Sequence, residues 1–248
     1  KFILKNFFCN LNRIKKISTV LNSCQNYTDG VPKIIATKNG KLLESKHKCY
    51  LIQFMNGSSF VHSKSNLIQL AQNLAQIHNI LGRLHISLPK NDPSYKVLTY
   101  NELKLVEKKI SNRNSDFDKK MKEHIAFLRS SISLDYAISK IIKPKLSSQL
   151  IHNDLHIDNV LFDGKSVNFI DFDSMMMGDP LTDIAFAALR FSDQKSGNIA
   201  KIQKSIEHFL LAYMQIKKID KIKLSFFNYF MTHEIIRRLS FIIRQKYF

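Results

Sequence analysis

Between Ile151 and Pro180 the chain reads "IHNDLHIDNVLFDGKSVNFIDFDSMMMGDP", and six of these thirty residues are aspartate. Short apolar runs separate the acids: the end of "QLI", then "VLF", then "VNFI". The last two flank Asp163-Gly164, a dipeptide that turns two strands into a hairpin. A hairpin folds the chain back on itself, so Asp171 is expected to return beside Asn159. A polar loop, a hairpin and a second polar turn therefore converge their carboxylates on one spot. This happens in a chain that is otherwise basic, with 38 Lys and Arg against 20 Asp and Glu and a net charge of +18.

The spacing has chemical content. Asp154 stands four intervening residues before Asn159. One short loop can then aim a carboxylate at an incoming hydroxyl while the amide oxygen of Asn159 meets a metal ion. Mg²⁺ takes hard oxygen ligands and shares them with substrate phosphates, and Asp171 in "IDFD" resembles, by its place, the magnesium aspartate of protein kinases. The segment "HNDLHIDN" resembles the catalytic-loop pattern H-x-D-L-x-x-x-N of protein kinases at every defined position. Neighbouring residues read as structural. Asp163 belongs to the turn, Asp158 to the surface, and Met175 to Met177 to the core. His152 holds the loop by hydrogen bonds, His78 is a core histidine, and His156 has no sharp assignment.

At 248 residues the chain can bury a core in one domain or in two lobes. Hydrophobic content of 44% and charged content of 23% are ordinary for a globular protein. No apolar run reaches the roughly 18 residues of a membrane span, so none is expected; the cytoplasm is the expectation set by the cysteines, read below as reduced thiols. The start "KFILKNFFCN" has no cleavage site and no initiator Met, as in a fragment or processed form. Cys9, Cys24 and Cys49 show no metal spacing and read as reduced thiols. Lysines are spread rather than blocked, so the positive charge reads first as solvated surface, with a nucleic-acid or anionic-membrane surface as the second reading.

Along the chain the texture changes once. Residues 1 to 57 are strand-rich, with "KFILKNF", "CYLIQFMNG" and a hairpin turned at Asn39-Gly40. Between these a helix fits residues 10 to 22, with Leu11, Ile14, Ile17 and Leu21 on one face. From Ser63 onward helices dominate. One is capped by Ser65 and carries Leu67, Leu70, Ala71, Leu74, Ile77, His78 and Leu81 on its apolar face, ending near Gly82. Another fits 115 to 130. Two more occupy the last fifty residues, with Ile202, Ile206, Phe209 and Tyr213 on one and Phe227, Phe230, Met231, Ile235 and Leu239 on the other. The junction falls near Asn56-Gly57-Ser58-Ser59. The expected domains are 1–57, a partial nucleotide-binding lobe, and 58–248, a helical lobe with the catalytic loop and acceptor site.

On "HNDLHIDNVLF", "NFIDFDSMMMGDPLTDIA" and "LAQNLAQIH" the sequence resembles the aminoglycoside phosphotransferase and choline kinase superfamily of small-molecule kinases. Asp173 matches the acid that follows Asp-Phe in that family, and Gly178, Asp179, Pro180 and Asp183 match its GDP…D element. The resemblance is specific for about residues 150 to 190. It implies an α+β, two-lobed protein kinase-like fold, with a small antiparallel-sheet lobe and a larger helical one. It also implies an ATP- and Mg²⁺-dependent transfer of the γ-phosphate to an alcohol group of a small molecule. By position Asp154 is the base, and Asn159 and Asp171 are the metal ligands. Asp183 is the acid that braces the loop, or else an acid placed simply for the N-terminus of a helix. Lys5 in "FILK" is the lysine that pairs with the phosphates, and the backbone of Gln53 and Met55 contacts adenine.

Two features depart from that pattern. Only four residues precede Lys5, with no glycine-rich loop among them, and residues 1 to 28 contain neither Asp nor Glu. The usual lysine–glutamate pair with the following helix is then unavailable. A distant acid substitutes, or phosphate alone holds Lys5, or activity is impaired. The last option is the second reading, a catalytically weakened nucleotide-binding or interaction module. For the acceptor, residues 200 to 248 contain Glu207, Asp220 and Glu234 against ten Lys and Arg. That balance disfavours a polycationic aminoglycoside. Choline or ethanolamine stays open because "HND" is a choline-kinase form, although the chain has no Trp for a cation cage. A neutral or anionic alcohol, such as a sugar or hydroxy amino acid, fits the charge better. Oligomeric state is not readable.

Overall fold

The structure is a computed structural model and describes residues 1–6, 11–44, 46, 48–88, 96–164 and 166–248; Cys9 and the end of "KFILKNF" lie outside these. The chain divides into two compact units. One comprises Lys1–Lys90 and Ser147–Asp220, the other Asn91–Leu146 and Lys221–Phe248. No helix among the described residues is long and apolar enough to cross a membrane.

The first unit begins with strand β1 (Phe2–Asn6), helix α1 (Leu11–Cys24), and strands β2 (Ile34–Ile35) and β3 (Cys49–Gln53). The strands form an antiparallel sheet in the order β1-β3-β2. α1 follows the apolar spacing, with Ile14, Ile17, Leu21 and Cys24 at most 2% exposed. The expected hairpin at Asn39-Gly40 forms only its turn. Gly40 takes φ +72° and its N–H donates to Thr37, but β2 pairs with β3. β3 alternates buried Tyr50 and Ile52 with more exposed neighbours. It thus offers Ile34 a half-buried ladder partner, which the lysine-flanked arm after Gly40 does not.

Strand β4 (Ser58–Ser59) and helix α2 (Lys64–Arg83) follow. The cap of α2 is Ser63, not Ser65: the Ser63 side chain accepts from Asn66 N–H at 3.0 Å, the geometry of an N-cap. Leu67, Leu70, Ala71, Leu74, Ile77, His78 and Leu81 are all buried, as the periodicity predicts. Gly57 takes φ +146°, and a Cβ there would lie 2.9 Å from Leu161 Cβ, so only glycine fits where the chain crosses the later hairpin.

Helices α3 (Tyr100–Ser111) and α4 (Asp116–Ile142) belong to the second unit. α3 falls in a stretch where no helix was expected, and α4 runs twelve residues beyond the expected end at 130. The chain then returns to the first unit with β5 (Gln149–Ile151), β6 (Val160–Phe162), β7 (Val167–Phe169), β8 (Met176–Gly178), α5 (Leu181–Arg190) and α6 (Ile199–Ile216). β6 and β7 form the expected hairpin, with Val160 opposite Phe169 and β4 added at its edge. β5 pairs with β8, and α6 packs along α2.

Helices α7 (Lys221–Ser225) and α8 (Phe227–Tyr247) complete the second unit. Its core joins Leu103, Val106 and Ile110 of α3, Leu128 and Ile132 of α4, and Ile236, Ile243 and Tyr247 of α8. The buried face of α8 is not the expected one. Phe227 and Phe230 are buried, but Ile235 and Leu239 are more than 40% exposed. Glu234, Arg237 and Ser240 take the inward positions instead. Glu234 and Arg237 pair with each other at 2.5 Å, and the Ser240 hydroxyl donates to Ile236 O and accepts from Leu98 N–H. Three inward polar residues hide a helical stripe from a hydrophobicity pattern.

Candidate active site

The loop between β5 and the hairpin is built around one buried carboxylate. Asp183, in the first turn of α5 and 1% exposed, accepts the N–H groups of His152 and Asn153, each at 2.7 Å. It also meets His78 Nε2 at 3.1 Å. An ionised carboxylate only accepts, so His78 donates from Nε2 and its Nδ1 accepts from the Tyr213 hydroxyl at 2.8 Å. Burial alone would raise the Asp183 carboxyl; His78, His152 and the Asn153 N–H outweigh it and hold the group below the usual carboxylate range.

His152 is buried, and its neighbours fix its tautomer. Nε2 donates to Ile170 O at 2.9 Å and Nδ1 accepts from Asp154 N–H at 3.3 Å. Burial lowers its pKa below the usual histidine value. The neutral ring is thus a bracket between the loop and the strand that leads to Asp171. Asn153 takes φ +67°, a left-handed conformation that Asn tolerates and most residues do not. Its side chain donates to Ser174 O at 3.1 Å.

Asp154 and Asn159 are linked within the loop. Asn159 Nδ2 donates to Asp154 O at 2.9 Å. His156 Nε2 lies 3.7 Å from the Asp154 carboxylate, and its Nδ1 accepts from Asp158 N–H. The hairpin returns as the sequence predicts: Ile170 N–H donates to Asn159 O at 3.0 Å, and Asp171 is the next residue. Asp171 takes φ +62°, a conformation that costs about 1–3 kcal/mol for a non-glycine residue and survives only where its surroundings impose it.

Across from these residues stands Lys5 of β1. Its Nζ lies 2.6 Å from Asp171 Oδ1 and 3.0 Å from Asp173 Oδ2. Burial lowers the Lys5 pKa, but the two carboxylates, Asp173 first, outweigh it and leave the ammonium above the usual lysine value. Burial likewise raises Asp171, and Lys5 more than reverses the effect. Asp173 Oδ1 accepts from the Tyr50 hydroxyl at 3.0 Å. Arg13 of α1, 7% exposed, donates to the carbonyls of Asp173 and Met175.

Of the sequence-derived residues, Lys5, His152, Asp154, Asn159, Asp171, Asp173 and Asp183 therefore form one connected set. Gln53 ends β3 and Met55 lies two residues beyond it; the Gln53 N–H is engaged with Lys33 O at 2.8 Å. Sequence reasoning missed Arg13, Tyr50 and Tyr213. Each reaches a partner more than a hundred residues away, and nothing local in the sequence marks them.

This geometry, a polar loop braced by the buried Asp183 and a hairpin acid facing a strand lysine, belongs to a protein kinase-like fold. Residues 12–215 match the phosphotransferase enzyme family (APH), and the chain belongs to that family. A search of curated proteins finds no match. Among solved structures, the chain is similar to spectinomycin phosphotransferase APH(9)-Ia in complex with ADP and spectinomycin, with 21% identity, TM-score 0.63, and 96% of this chain and 73% of that one covered. It is similar to amicoumacin kinase hAmiN in complex with AMP-PNP, Ca²⁺ and Ami, with 15% identity, TM-score 0.65, and 98% and 75% covered. Choline kinase LicA from Streptococcus pneumoniae shows 12% identity, TM-score 0.55, and 98% and 78% covered. At these identities the likeness is one of fold.

Proposed function

We propose that the chain transfers the γ-phosphate of ATP to an alcohol group of a small molecule. The observation that carries this reading is the meeting of Lys5 with the "IDFD" turn, beside a loop holding Asp154 and Asn159. In this reading residues 1–57 serve the nucleotide, and 58–248 carry the catalytic loop and the acceptor. Lys5 binds phosphate. The backbone at Gln53 and Met55 receives adenine, through groups other than the Gln53 N–H. Asp154 orients the acceptor hydroxyl in line with the γ-phosphorus and takes its proton. Positioning and charge neutralisation supply most of the acceleration.

The residues fit a magnesium ion that arrives with the nucleotide. A positive charge already lies 2.6 Å from Asp171 Oδ1, and Mg²⁺ in such sites takes one or two protein oxygens and completes its shell with phosphates and water. Asp171 and the Asn159 amide oxygen are the ligands we assign. When bound, the ion would neutralise the charge developing on the phosphate oxygens. A cytoplasmic location, where thiols stay reduced, suits Cys24 and Cys49, both free.

The reading as an impaired module rests on the missing helix acid and the missing glycine-rich phosphate loop. Lys5 has two carboxylate partners regardless, and the kinase neighbours do not favour that alternative. For the acceptor we retain a neutral or anionic alcohol. Of the three acids in residues 200 to 248, Glu234 is buried and paired with Arg237, so it is not on offer to a cation. The test is transfer from γ-labelled ATP to kanamycin, choline, ethanolamine, homoserine and a set of sugars. Transfer is expected, with kanamycin a poor acceptor; kanamycin as the best acceptor would overturn the charge argument.

A further inference from the structure

Resting on the reading above, we infer that Asp173 is a positioning residue: held by Tyr50, it aims the Lys5 ammonium at phosphate in place of a helix acid. The sheet register brings the parts together. Lys5 of β1 is directly opposite Tyr50 of β3, and paired residues of antiparallel strands project to the same face. Tyr50 is 4% exposed, so its ring is fixed by packing. Its hydroxyl donates to one oxygen of Asp173 at 3.0 Å, and the other oxygen meets Lys5 at 3.0 Å. Lysine, tyrosine and aspartate thus close a triangle in which the strand neighbour of Lys5 orients the acid that orients Lys5.

The charge on α1 is reversed relative to the kinase pattern, in which the strand lysine pairs with a helix glutamate. α1 has no acid to offer. Its buried Arg13 points at the same turn and donates to the carbonyls of Asp173 and Met175. The helix still grips the site, but through backbone carbonyls, and the anion that faces Lys5 has moved onto the turn. Asp171 also touches Lys5. It is the assigned metal ligand, however, so a metal-bound nucleotide would compete with Lys5 for its carboxylate. Asp173, tied on its far oxygen and through its backbone, is the partner that can remain.

The experiment uses the full chain with D173N, Y50F, K5M and the D173N/K5M double variant. The first measurement is acylation of Lys5 in the nucleotide-free protein, read by peptide mass spectrometry against exposed Lys1. The second is the affinity for Mg–ATP. D173N is expected to raise the acylation rate of Lys5 several-fold and weaken Mg–ATP about tenfold, the scale of one charge-assisted hydrogen bond. Y50F is expected to do both to a smaller degree, and it reads the same lock if D173N does not fold. In the K5M background D173N should cost nothing further. Unchanged Lys5 acylation in D173N and Y50F, or an equal D173N loss with and without Lys5, overturns the inference. A wild-type chain that does not bind Mg–ATP overturns the phosphotransfer reading instead, and acylation alone then decides the Lys5–Asp173 pair.

Discussion

Asn153 shows how one residue carries two readings. In the sequence the "HND" triplet speaks for a choline-kinase-like acceptor. In the structure the same asparagine takes φ +67° and donates its side chain to Ser174 O. The backbone conformation is enough to explain an Asn at this position, which removes the weight it lent to choline. Asp154, by contrast, was singled out by the match of "HNDLHIDN" to the pattern H-x-D-L-x-x-x-N, in which a short loop sets carboxylate and amide apart. For D154N we expect turnover about a hundredfold lower or more, with Mg–ATP affinity nearly intact, since a positioned base is removed and the nucleotide ligands stay. Steady-state rates on the best acceptor and calorimetry with nucleotide check this; turnover within about threefold of wild type contradicts the role assigned to Asp154. Arg13 and Tyr50 were not legible, because a cation on a helix and a tyrosine on a strand acquire meaning only through partners far along the chain.

Elements were read well where periodicity was unbroken. The β6–β7 hairpin follows from two short apolar runs flanking Asp163-Gly164, and the buried face of α2 from i, i+3, i+4 spacing. The face of α8 was misread because its inward positions hold Glu234, Arg237 and Ser240. α3 was missed although Thr99 and Glu102 form a capping box, with Thr99 N–H donating to Glu102 Oε2 at 2.7 Å. Glu102 also ties α3 to α8 through Arg244 at 2.8 Å, and that guanidinium, with the Thr99 donors, holds its carboxyl down at about 2. A depressed carboxylate stabilises the fold fully above its ordinary pKa, and the contribution fades as pH falls toward the folded value. E102Q should therefore lower stability by about 1 kcal/mol at pH 7, the pair being partly exposed and screened. The difference from wild type should shrink from pH 4.5 downward and vanish near pH 2. Thermal melts of both proteins across that range give the answer; a difference that does not change with pH would mean that packing, and not the ion pair, is lost.

For the whole molecule, the contrast between a net charge of +18 and an acid-rich thirty-residue stretch proved the most informative single fact. It located the hairpin, the loop and the turn that the structure joins at Lys5. It did not reveal the division into two compact units, whose segments alternate along the chain, because such a division depends on contacts distant in sequence. The central claim is that Asp171 and Asn159 receive a metal carried by ATP. Calorimetric titration of ATP into the wild-type chain and into D171A, each with and without Mg²⁺, tests it most directly. Mg²⁺-dependent binding is expected in the wild type and its loss in D171A, since a charged ligand bridging to phosphate is removed. Equal affinity in the two proteins would contradict it and place the metal elsewhere.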